Sequence, residues 1–158
     1  MRRKSKERDT GRAQKLEFIG NYEHDSVVIG NHGNSSVEID GVFNISGIIY
    51  SPKYTVTMTI SGKGTATFRG VCAKIIINNI SDDCTLDLRD LSCKEIAVYA
   101  AKGKAKIITG KVRAVVEASL KDDAILYTTE NPLIFNALMA GNAKITSYDE
   151  PVEKKMSV

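Results

Sequence analysis

Two pairs of adjacent aspartates, Asp82-Asp83 in "SDDCTL" and Asp122-Asp123 in "KDDAIL", are the residues of this 158-residue chain that most resemble reaction machinery. Neighbouring carboxylates can share a proton, so that one serves as a general acid, or they can hold a divalent cation. Both uses need further polar groups and walls that exclude water. Here each pair lies between a polar stretch and an apolar one, the setting of a tight turn, and no histidine is near. The other concentration of such groups is "YEHDSVVIGNHGN", where His24 and His32 accompany Glu23 and Asp25. These residue types suit proton transfer or metal ligation, although loop or cap residues would look the same.

Other chemistries find less support. Cys72, Cys84 and Cys93 are too widely spaced for the usual zinc pairs, and no His-x-x-x-His accompanies them. Gly62-Lys63-Gly64 opens like a dinucleotide fingerprint, but Thr67 holds the third glycine position and no helical pattern follows. Gly103-Lys104 and Gly110-Lys111 lack the upstream glycine of a phosphate-binding loop, and no nucleophile elbow anchors a serine hydrolase. No catalytic, metal-ligating or cofactor-binding residue is assigned, no cofactor is implied, and the protein is expected not to be an enzyme.

The elements that carry these residues follow from a repeat. "SGKGTATF", "SDDCTLDL", "KGKAKII", "KDDAILY" and "AGNAKIT" each run from a polar turn to a small residue, any residue, then an apolar one. The small positions are Gly64, Cys84, Ala105, Ala124 and Ala143; the apolar ones are Ala66, Leu86, Ile107, Leu126 and Ile145. Their separation of roughly 20 residues is a solenoid period. Upstream, Ile60, Ile80, Ala101, Leu120 and Met139 fall four residues before the small position, and Val56, Ile76, Ala97, Val116 and Phe135 fall eight before it. Alternation of this kind is the strand period, and Thr-rich "TVTMTI" and β-branched "KIIINNI" favour strands.

The expected fold is all-β: a single-stranded, right-handed parallel β-helix, or β-solenoid, with about five regular coils of roughly 20 residues. Coils stacked about 4.8 Å apart would share one core built of small and β-branched side chains. A basic tail is expected at 1–17, the solenoid at 18–148 and a charged tail at 149–158. The coils before Tyr54 are expected to be irregular, with "GVFNISGIIYSPKY" as an insertion. Cys84, on the small inward position, is expected to be a buried thiol, with Cys72 and Cys93 more exposed near a second corner.

On this scheme the aspartates become corner residues. The corner pairs are Gly62-Lys63, Asp82-Asp83, Gly103-Lys104, Asp122-Asp123 and Gly141-Asn142. Their second members would set opposite charges beside one another up the stack, each such exposed pair contributing about 0–1 kcal/mol. Asp83 and Asp123 would stand two coils, or about 10 Å, apart. That approaches an inverting-glycosidase spacing, but a tight exposed corner offers no cleft to raise an acid's pKa.

"TISGKGTATFRGVCAKIIINNISDDCTLDL" resembles the repeating unit of GIN-type head domains, which are autotransporter-adhesin-like β-helices. Ile60, Ser61, Gly62 and Gly64 match their corner, Ala66 and Phe68 the strand after it, and the resemblance spans roughly Val56 to Ile145. It implies a right-handed parallel β-helix without a known catalytic site and transfers no functional residue. The basic tail before a short coil stack also resembles bactofilin-like β-helices, which implies polymerisation.

The expected function is a non-catalytic structural or interaction module that associates with itself through the solenoid ends. The alternative is a small binding or adhesion module for a glycan or anionic ligand, in which Arg2, Arg3, Lys4 and Lys6 of the tail would meet the anion; a carbohydrate-active enzyme ranks last. A formal charge of +3 is too small to imply nucleic acid as the partner of the folded part. The chain has no apolar run long enough to span a bilayer and no visible export signal, and its three cysteines suggest reduced thiols in the cytoplasm.

Overall fold

The structure, a computed structural model, describes residues 14–30 and 33–148. Among them there is no helix. The strands are β1 (Lys15–Ile29), β2 (Ser35–Ile80), β3 (Asp83–Asp87), β4 (Leu91–Ala101), β5 (Lys106–Ile108), β6 (Lys111–Leu120), β7 (Ile125–Thr128), β8 (Leu133–Ile134), β9 (Ala137–Met139) and β10 (Lys144–Ser147). All pair in parallel. Partners in register lie about one repeat apart in sequence, so each strand pairs with the coil before it and the coil after it. This is a β-solenoid of about seven turns.

The repeat positions stack as columns. Gly64 pairs with Cys84, and the registers of β3, β5, β7 and β10 carry Ala66, Leu86, Ile107, Leu126 and Ile145 into one line. Ile80, Ala101, Leu120 and Met139 form another. The buried members of these columns make one continuous core. Coils so thin leave little room between opposite walls, which is why Ala, Cys and β-branched residues fill it.

The upstream column departs from expectation. Val56 and Ala97 are buried, but Ile76 and Val116 are only half-buried and Phe135 is exposed. The column that forms instead is Ile75, Ile96, Val115 and Ile134, with Ile77, Val98, Ala118 and Ala137 beside it. Alternation counted back from the corner loses phase because Asn78 and Asn79 both intervene between inward Ile77 and Ile80. In β6 the register also slips between Ile96 and Ala97, leaving Val116 as the extra residue of a bulge.

The stack is longer than the five coils of the repeat. "GVFNISGIIYSPKY" is not an insertion: it lies wholly within β2. Phe43 pairs with Tyr22, Ile45 with His24 and Ile49 with Ile29, the one irregularity being a register shift between His24 and Val27. A side chain on Gly64 would strike the Phe43 carbonyl oxygen and ring, so Phe43 and Tyr22 continue the small-residue column downward. Large rings in a slot that later holds Gly, Cys and Ala conceal the repeat from sequence comparison.

Candidate functional site

One corner recurs along the whole stack. Gly20, Gly41, Gly62, Asp82, Gly103, Asp122 and Gly141 all have positive φ, from 61° at Asp122 to 137° at Gly41. Glycine adopts this conformation without strain, and aspartate is among the few others that tolerate it. Each aspartate also uses its carboxylate. Asp82 Oδ2 accepts from the Gly62 N–H at 3.3 Å, and Asp122 Oδ2 accepts from the Gly103 N–H at 3.1 Å. The backbone binds in the other direction: Lys104 N–H donates to the Asp82 carbonyl at 2.8 Å, and Asp123 N–H to the Gly103 carbonyl at 2.9 Å.

The first member of each aspartate pair therefore holds the corner, where the sequence directed attention to the second. Lys63 does stand in register with Asp83. Yet among the described residues neither Asp83 nor Asp123 closes an ion pair within 4.0 Å; the ion pairs are Lys15–Glu17, Lys74–Glu95 and Arg89–Asp87. Asp123 instead accepts from Asn142 Nδ2 at 3.1 Å. All four corner aspartates are exposed, so water screens their charges.

Of the histidine-containing stretch, Glu23, His24 and Asp25 come to one small hollow. Asn44 and Ser46 line it too, but His24 Nδ1 accepts from the Ser26 N–H at 3.3 Å and its ring packs against Phe18. His32 lies outside the described residues, as do Arg2, Arg3, Lys4 and Lys6 of the tail. Among the described residues no group of three or more His, Cys, Asp or Glu side chains could hold a metal ion.

All three cysteines are buried, including Cys72 and Cys93, for which exposure was expected. Cys72 and Cys93 pair in register on neighbouring coils, and all three thiols belong to the core. Burial pushes the Cys93 thiol up to about 12, helped by Cys72 and Glu95. Burial likewise pushes Cys84 to about 12, helped by Asp82, Asp83 and Asp40. Burial also raises Cys72, partly opposed by hydrogen bonds to the backbone at Lys74, Val56 and Ala73. Thiols held protonated in this way make poor nucleophiles.

Two features had no sequence signal. At the second corner Arg89 donates to both oxygens of Asp87, Nε to Oδ1 at 3.0 Å and a terminal nitrogen to Oδ2 at 2.7 Å. Its other terminal nitrogen donates to the Tyr148 hydroxyl at 3.1 Å, and the guanidinium lies 5.0 Å from the Tyr148 ring centre. Tyr148 in turn meets Tyr127 edge to face. Burial alone would raise the Asp87 carboxyl, but the hydrogen bonds and charge of Arg89 hold it below its ordinary value. The residues joined are 59 apart in sequence and strap the last coil to one well inside the stack.

The second feature is that last coil. Leu133, Ile134, Phe135, Leu138 and Met139 are 43–68% exposed. Ile134 and Met139 continue inward columns, so among the described residues the core is open at this end. Leu133, Phe135 and Leu138 make its outer flank apolar too. The opposite end is closed: Leu16, Phe18, Tyr22, Val27 and Ile29 are buried, and Phe18 meets Tyr22 edge-on at 5.3 Å. Buried Gln14 seals the same coil, accepting from the Gly30 N–H at 2.7 Å and donating to the Val28 carbonyl at 3.3 Å. No family model, no curated protein and no solved structure matches the chain.

Proposed function

We propose that this protein is a non-catalytic structural β-solenoid that pairs with a second copy of itself through its C-terminal end. The carrying observation is the asymmetry of the two ends, one closed by its own side chains and the other an apolar cross-section of the core. A strand edge that is both unpaired and apolar favours the addition of another strand. Because only one end is open, head-to-tail stacking would set an apolar face against a finished one. Two open ends can satisfy each other by a two-fold axis, with the terminal strands antiparallel across it.

Light scattering after size exclusion tests this on the full chain, with Phe135→Lys and Leu138→Lys as variants. Both side chains are exposed, so the coil itself should survive their replacement. The expected result is a dimer that becomes a monomer in the double variant. A wild type that stays monomeric at its highest soluble concentration, or a dimer indifferent to both changes, would overturn the reading. A second reading, a module that binds an anionic ligand, is favoured by unpaired cations on one flank of the stack.

A further inference from the structure

A groove of about 750 Å³ crosses several coils on the side of the stack. Its apolar surface comes from half-buried Val71 and Pro52 and exposed Leu133; Cys72, Cys93 and Val112, in register behind it, are only 2–7% exposed and belong to the core. Lys94, Lys111 and Arg113 line it as well, and all three are exposed. Register puts Lys94 and Arg113 on neighbouring rungs, between the pairs Cys93–Val112 and Glu95–Ala114, hence about 4.8 Å apart at the backbone. Lys111 lies two residues before Arg113 on the same strand and the same face, about 7 Å away.

Like charges placed directly opposite on adjacent strands destabilise a sheet. Elsewhere in the same sheet Lys74 faces Glu95 at 3.7 Å, and the like pair Glu17 and Glu38 stands in register with Lys15 3.7 Å from Glu17. Lys94, Lys111 and Arg113 have no ion-pair partner among the described residues. Among the described residues the one acid lining the groove is Glu130, which also borders a neighbouring hollow beside Tyr148. A hollow of ligand size with an apolar wall and three cations to one acid in its lining is complementary to an apolar molecule bearing an anionic head.

We propose that this groove binds a soluble amphipathic carboxylate, its hydrocarbon body against Val71 and Pro52 and its head held by Lys94, Lys111 and Arg113. The assignment stands on the flank of the stack, and of the open-end residues only Leu133 borders it. Its decisive variants, Lys94→Ser and Arg113→Ser, leave the terminal coil untouched.

Isothermal titration calorimetry of the full chain with decanoate, kept below its micelle concentration, tests the site. Acetate serves as the head without the body and decanol as the body without the charge. Decanoate is expected to bind saturably and both controls much more weakly. The Lys94→Ser/Arg113→Ser variant should lose affinity by about tenfold or more, and Glu130→Gln should gain a few-fold. Without ligand, the double serine variant should melt no lower than wild type, because a repulsion has been removed; decanoate should raise the melting temperature of wild type only. Absence of saturable binding, equal binding of decanol, or binding indifferent to the serine substitutions would overturn the proposal. Binding to phosphatidylglycerol vesicles without binding to free decanoate would also overturn it, in favour of a membrane surface.

Discussion

Asp122, at a φ of 61°, and Gly103, at 70°, answer one backbone requirement by different means. Gly103 does so by lacking a side chain: a Cβ there would come within 2.9 Å of the Asp82 nitrogen. Asp122 accepts the strain of a left-handed residue and offsets it with a hydrogen bond from the Gly103 N–H. The two aspartates of each pair should therefore be unequal. Asp122→Ala is expected to cost about 1–2 kcal/mol, since it keeps the strain and loses the acceptor. Asp123→Ala should cost less than about 0.5 kcal/mol. Urea unfolding of both variants checks this order, and equal losses would contradict it. The cysteines carry a second expectation at this scale. Cys84 and Cys93 are pushed up to about 12 when folded, from an ordinary 9.0. A thiol whose folded pKa is raised contributes stability that is fully present below the unfolded value and is lost as pH climbs towards the folded one. Wild type should lose stability between about pH 9 and pH 12, and Cys84→Ala/Cys93→Ala should flatten that limb in pH-dependent melting.

The long strand β2 and the short strands β8 and β9 show how differently coils of one period can behave. Through β2 every turn has a neighbour above and below, and inward residues such as Ile45, Met58 and Phe68 are fully buried. Among the described residues the final coil has a neighbour on one side only, and the Arg89–Tyr148 contact is a side-chain strap that reaches across to it from well inside the stack. Tyr148→Phe keeps the ring against Tyr127 but removes the acceptor, whereas Arg89→Ala removes both the hydrogen bond and the cation over the ring. Amide exchange in β10 should quicken modestly in the first variant and more in the second, with β2 unchanged; equal protection in all three proteins would mean that the strap holds nothing. The same cluster sets an acid limb. Asp87 is held below its ordinary 3.8, so its contribution is present above that pH and is lost as pH falls through the depressed folded value. Asp87→Asn should be less stable than wild type at neutral pH and should show a shallower decline below about pH 4.

In the molecule as a whole, a solenoid leaves its two ends to be finished separately, because each coil rests on its neighbours and not on a central body. Among the described residues the N-terminal coil is finished with Phe18, Tyr22 and Gln14, and the C-terminal coil is left open. If a second copy completes it, folding and pairing are linked, and the melting temperature must rise with protein concentration. Differential scanning calorimetry across a concentration series should show this rise in wild type and its absence in Phe135→Lys/Leu138→Lys. A wild-type midpoint independent of concentration would count against pairing.

Alternation of small and apolar residues at a fixed period was enough to read the fold class, and with it the columns from Gly64 to Ala143 and from Ala66 to Ile145. Those columns depend on local backbone geometry and on a core too thin for large side chains, and both leave a periodic trace. Phe43 and Tyr22 broke that trace because size at an inward position depends on what lies across the core. Val116 and the Asn78-Asn79 bend broke it because one extra residue reverses every side chain that follows. Which aspartate holds the corner, which cations stand unpaired over a groove, and which end stays open were decided only in three dimensions. Each is a relation between residues one or more coils apart, and the order of the chain does not record how its turns are laid upon one another.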